Sequence, residues 1–123
     1  MLKEGLKHVS RLTVSNAQSA IAQGSGDLPV LATPAMLALM ENAAMLAVAD
    51  SLPEGTTTVG GQIASSHLSP TAIGAIVEAE AVLEKVDGKK LHFCITARQG
   101  DKLFGEGTHL RFIVDRERFL SRL

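Results

Sequence analysis

Three side chains suited to acyl transfer are spread over the first two thirds of this 123-residue chain. Glu41 lies inside the apolar run from Ala32 to Ser51, and its neighbours three and four positions away, Leu37, Ala38, Ala44 and Met45, are all apolar. A carboxylate where water is scarce holds protons more tightly and becomes a candidate general base or nucleophile. His67 sits in Ser65-Ser66-His67-Leu68-Ser69-Pro70-Thr71, where small polar flanks at a strand end can present an imidazole to a cleft. Its ordinary pKa of about 6.5 allows proton exchange at neutral pH. Thr33, just before Pro34, adds a hydroxyl at the head of the same apolar run. Thioesters suit so modest a set, because a thiolate with a pKa of about 8.5 leaves without the acid help an amine requires.

The other polar groups carry less. Gly60-Gly61 is too short for a phosphate loop and reads either as a bulge or as a backbone N–H brought close to a ligand. His8, His92 and His109 lie inside alternating segments and read as surface or packing residues. No two histidines have helical metal-ligand spacing, so neither a metal nor another cofactor is expected. Cys94, the single cysteine, is flanked by His92, Phe93 and Ile95 and reads as a small core residue.

These groups must be positioned by a few elements. Ala, Leu and Met favour helix throughout Ala32–Ser51, with Pro34 at its first position and Thr33 as N-cap. The run leaves almost no polar face, which predicts a helix covered nearly all round. A membrane span is disfavoured by the central Glu41-Asn42 pair. Period-two alternation predicts strands over Leu6–Ser15, Ala72–Val86 and Lys102–Asp115, with Lys90–Gln99 as the partner between the last two, and the β-branched run Thr56–Ala64 begins another that Ser69-Pro70-Thr71 interrupts. Asp87-Gly88 and Gly100-Asp101 mark the last two turns, so these three strands form a meander. Asp115 can cap a short terminal helix, while Ala17–Ala22 has no clear assignment and Gly24-Ser25-Gly26-Asp27 is a loop. The order predicts one α+β domain over residues 1–123, an antiparallel five-stranded sheet wrapped around one long apolar helix. Such a sheet is too small to cover the helix alone, which predicts a homodimer or higher homo-oligomer.

Composition narrows the partners. A formal net charge of −1 and the absence of Trp and Tyr leave neither a basic field nor a stacking platform, so nucleic acid is not an expected partner. The N-terminal residues up to Lys7 hold no long apolar run, so neither a signal peptide, nor an anchor, nor a membrane partner is expected, and a cytoplasmic address follows by default.

The segments Leu31–Glu41 and His67–Gly74, together with Thr58-Val59-Gly60, resemble the hotdog-fold thioesterases of the fluoroacetyl-CoA thioesterase-like family. The resemblance implies a hotdog fold, a dimer with active sites at its interface, and hydrolysis of short acyl-CoA thioesters. It also implies catalytic roles for Thr33, Glu41 and His67, substrate positioning at Gly60, and a substrate-binding basic residue at Arg111. The fluoroacetyl-specific member has bulky aromatic residues in the loop before the threonine, where this chain has Gly24-Ser25-Gly26-Asp27. A general thioesterase for small acyl groups is therefore expected. Two other readings stand beside it: a hotdog acyl-CoA dehydratase or hydratase, and a non-catalytic acyl-CoA binding module.

Overall fold

The structure is a computed structural model that describes residues 1–123. Its strands are β1 (Lys7–Thr13), β2 (Thr56–His67), β3 (Ile76–Asp87), β4 (Lys90–Gln99) and β5 (Lys102–Asp115). They form one antiparallel sheet in the order β1-β3-β4-β5-β2, with a single long helix, α2 (Thr33–Ala49), packed on one face. Two short helices complete the chain, α1 (Ala20–Gln23) and α3 (Arg116–Ser121). The expected α+β arrangement is therefore the one observed. No helix is long and apolar enough to cross a membrane.

Alternation decides what faces the helix. Val77, Ala79, Ala81 and Leu83 of β3 and Leu91, Phe93, Ile95 and Ala97 of β4 are all buried, each two residues from the next. They meet Met36, Leu39, Met40, Ala43, Ala44 and Val48 of α2. Alanines at positions 79 and 81 let α2 lie close to the sheet, and the methionines fill the irregular gaps. Ser10 of β1, itself buried, donates to Asn42 Oδ1 at 2.6 Å and fixes the helix against the edge of the sheet.

Several expectations need correction. The N-cap is Ala32, in extended geometry, while Thr33 is already the first helical residue and Pro34 the second. The Thr33 hydroxyl is thereby free of capping duty. Within one chain the sheet leaves part of the helix open, as its size leads one to expect: Pro34, Ala38, Asn42, Leu46 and Ala49 form an exposed stripe. Cys94 is exposed rather than in the core, because its apolar neighbours Phe93 and Ile95 point at α2 and strand parity turns Cys94 outward. β3 begins at Ile76 rather than Ala72, since Gly74 takes a φ of +95° and turns the chain before the ladder starts. The expected terminal helix does form, with the Asp115 side chain accepting from Arg118 N at 2.9 Å.

Candidate active site

The N-terminus of α2 and the C-terminal end of β2 converge, and this brings Thr33 and His67 together. Thr33 Oγ1 lies 2.8 Å from His67 Nδ1. On the far side of the ring, Nε2 is buried without a hydrogen-bond partner, as are Ser69 Oγ and Thr71 Oγ1 just beyond it in the chain. The ring also tilts against Phe104, with centroids 5.9 Å apart. Burial pushes the His67 pKa below its usual value, and the nearby Ser69 backbone opposes this only in part. The imidazole is thus neutral at pH 7 and able to take up a proton. Thr33 and His67 open onto a cleft of about 340 Å³ whose walls include Ser25, Leu31, Leu68 and Pro70.

A second cluster forms where the middle of α2 passes β2 and β5. Glu41 Oε2 faces Arg111 Nη1 at 3.3 Å and His109 Nε2 at 3.8 Å. Arg111 is buried, and Thr58 grips its other edge: Nε donates to Thr58 Oγ1 at 2.8 Å and Nη2 to Thr58 O at 2.9 Å. Burial pushes the guanidinium pKa down, while the adjacent Glu41 carboxylate pulls it back up. A β-carbon at Gly60 would run into Glu41 Oε2, so the glycine provides the space in which the carboxylate sits. Here the structure corrects the sequence reading of Glu41. Its side chain is 42% exposed, because it lies beside the open stripe of α2 rather than beneath a cover.

Gly60 and His67 are seven residues apart, an odd number, so on a regular strand they would point to opposite faces. Both face α2. The reason is a bulge: the β2–β5 register shifts between Gly60 and Gln62, and the extra residue, Gly61, restores the phase. Gly61 packs on the other face of the sheet, under the Phe112 ring. The bulge expected at the Gly60-Gly61 pair is therefore the one observed.

Within one chain the two clusters stay apart. Thr33 and Glu41 are separated by eight helical residues, about 12 Å along the axis. Gly60 lies towards the middle of β2 and His67 at its C-terminal end, about 20 Å apart at the usual strand rise.

His109 and Thr58 are site residues that sequence reasoning missed. A signal was present, since Gly105, Gly107, His109 and Arg111 share one face of β5 and none of them is apolar, although that face is turned to the core. A histidine on that face, two residues from a buried arginine, has a polar neighbour built in. His8 and His92 line no part of either cluster. No group of three or more His, Cys, Asp or Glu side chains is placed to hold a metal ion.

Comparison with known proteins identifies the family and the fold. Residues 14–117 match the family model described as fluoroacetyl-CoA-specific thioesterase. A fluoroacetyl-CoA thioesterase from Streptantibioticus cattleyicolor is 34% identical over 94 residues, covering 76% of this chain and 68% of that protein. A solved structure of a fluoroacetyl-CoA thioesterase superposes with a TM-score of 0.92 at 27% identity, over 99% of this chain and 95% of that one. A Thermus thermophilus member of the thioesterase superfamily shares the fold, with a TM-score of 0.90 at 24% identity over 98% of this chain and 90% of its own. With its fold and most of its length matched, the chain belongs to the hotdog-fold fluoroacetyl-CoA thioesterase family.

Proposed function

We propose that this protein hydrolyses small acyl-CoA thioesters at sites shared between two copies of the chain, each combining Thr33 and His67 of one copy with Glu41, Gly60 and Arg111 of the other. The activity follows the family, whose solved members include one in complex with fluoroacetate and CoA. The observation that carries the shared site is the separation, by about 20 Å of β2, of two clusters that face the same way.

β2 is an edge strand of 12 residues with β5 as its only neighbour, and the exposed stripe of α2 includes the apolar Ala38 and Leu46. A long unpaired edge beside apolar surface favours a second copy. A two-fold axis at Ala64 would pair the two β2 strands antiparallel and, with Gly61 as the extra residue, set His67 opposite Gly60 of the partner subunit. Thr33 and His67 would then meet a thioester from one side, and Glu41 from the other.

In such a site each group has a distinct task. Glu41 directs Oε2 at Arg111 and makes no protein hydrogen bond through Oε1, which is left to take a proton from water or to attack the carbonyl itself. Thr33, with its hydroxyl on the neutral His67 ring, positions the acyl group and exchanges protons with it. Expulsion of CoA needs little acid assistance. The cleft beside Thr33 has Ser25 of the Gly24–Asp27 loop in its wall rather than a bulky aromatic, which favours a general small-acyl substrate over fluoroacetyl alone.

The test is thiol release from acetyl-, propionyl-, butyryl- and fluoroacetyl-CoA. Wild type should release CoA, and Glu41→Gln should lower kcat by about 10²-fold or more with KM little changed. Hydration of an enoyl-CoA without thiol release would mark a hydratase instead, and saturable binding with neither product a silent module.

A further inference from the structure

His109 is almost fully buried between β2, β4 and α2, and both of its ring nitrogens are engaged. Nδ1 lies 2.7 Å from the carbonyl oxygen of Gln62, a group that can only accept, so Nδ1 must carry a proton. Nε2 lies 3.2 Å from Arg111 Nη1, a group that can only donate, so Nε2 must present its lone pair. The two contacts together admit one form of the ring. We infer that His109 is a positioning residue for Glu41: held neutral with its proton on Nδ1, it accepts one Nη1 hydrogen of Arg111 at Nε2 and leaves the second aimed at Glu41 Oε2.

The guanidinium then has three fixed seats. Thr58 takes Nε and Nη2, His109 takes one hydrogen of Nη1, and the remaining Nη1 hydrogen meets the carboxylate at 3.3 Å. His109 Nε2 is also 3.8 Å from Glu41 Oε2, which invites a role as proton carrier to that carboxylate. The geometry argues otherwise, because the distance exceeds a hydrogen bond and the lone pair is already committed to Arg111. Protonating Nε2 would set an imidazolium 3.2 Å from a buried guanidinium. Of the groups facing the ring, only Glu41 from α2 and Arg111 from β5 are charged, while β4 contributes the Phe93 ring and β2 the Gln62 carbonyl. Burial, with the Arg111 charge, opposes the protonated form and outweighs the Gln62 carbonyl and the Glu41 carboxylate, which favour it. The function assigned to His109 rests on the thioesterase reading, but its ring form does not.

Two measurements test this. Nitrogen-15 NMR of histidine-labelled wild-type protein at pH 7.5, with the His109 signals assigned by their loss in His109→Gln, should show Nδ1 protonated and Nε2 bare. A ring with a proton on Nε2 overturns the inference whatever the substrate proves to be. In thiol release, His109→Leu should lower kcat about tenfold with KM within about twofold, while His109→Gln, whose side-chain oxygen can take the Arg111 hydrogen, should stay within about threefold of wild type. Should the leucine variant fail to fold, the glutamine variant and the NMR decide. A glutamine variant that loses as much kcat as His109→Leu makes the ring a proton carrier and overturns the positioning role. Absence of thiol release by wild type would count against the thioesterase reading alone.

Discussion

Arg111 and Glu41 meet at 3.3 Å across a boundary of burial: the guanidinium side chain is 7% exposed and the carboxylate 42%. The cation is set into the fold and the anion lies at its surface, so the arginine has far less freedom to adapt than the glutamate. Arg111→Lys is accordingly not a mild change. An ammonium cannot reproduce the fork that Thr58 grips at two points. We expect a loss of about 1–3 kcal/mol of stability and at least tenfold in kcat, measured by urea unfolding and thiol release. Glu41→Gln should instead leave stability within about 1 kcal/mol, since its partner contact is half solvated.

The shared site makes a prediction about mixtures. Thr33→Ala and Glu41→Ala should each be weak alone, whereas unfolding and refolding them together should recover activity, because each mixed dimer regains one site with both residues intact. Native mass spectrometry confirms that mixed dimers have formed. No recovery in their presence would reject the shared site, and a folded monomer in light scattering would reject the dimer itself.

Adjacent glycines should behave oppositely. A methyl at Gly60 meets the end of a flexible side chain, Glu41, so Gly60→Ala should fold and lose kcat by about tenfold or more as the carboxylate is displaced. A methyl at Gly61 meets the Phe112 ring on the other face. Gly61→Ala should therefore cost stability, about 1–3 kcal/mol, more than it costs turnover. Melting temperature and kcat measured on both variants separate the two effects.

Acid should weaken the fold through His67 and His109. Burial lowers the folded-state pKa of both His67 and His109 from the usual 6.5. Below 6.5 the unfolded chain takes up protons before the folded one does, so the stability tied to these rings is complete above 6.5. It is lost as pH falls through the lowered folded values. Melting temperatures at pH 7.5 and 5.5 should differ less in His109→Gln than in wild type. An unchanged difference would mean that His109 carries none of this dependence.

The elements were legible wherever period and burial agree. The β3–β4–β5 meander follows from alternation and from the turns at Asp87-Gly88 and Gly100-Asp101, and α2 from its helix formers. Thr33, Glu41 and His67 were legible as candidate residues, Gly60 and Arg111 only through the family resemblance, and the gap between Thr33 and Glu41 follows from eight helical residues. The pairing of Thr33 with His67 was not legible, because it depends on where β2 ends relative to α2. Cys94 was misplaced because apolar neighbours were read as an apolar environment, although on a strand they show that the residue between them points away. Glu41 was misplaced because helical neighbours describe the helix and not what covers it. His109 was set aside for lying in an alternating segment, when its companions on that face, Gly105, Gly107 and Arg111, were the informative residues.

The extra residue at Gly61 turns the spacing of the two clusters into a count of odd and even. Removing one residue between Gly60 and His67, or adding one, would leave β2 a good strand and still turn one cluster to the wrong side of the sheet. A compensating pair of changes would turn it back. Among sequences built on this frame, length changes within that stretch of β2 should thus be tolerated by twos, and a single-residue change should mark a chain that has kept the fold and given up the chemistry.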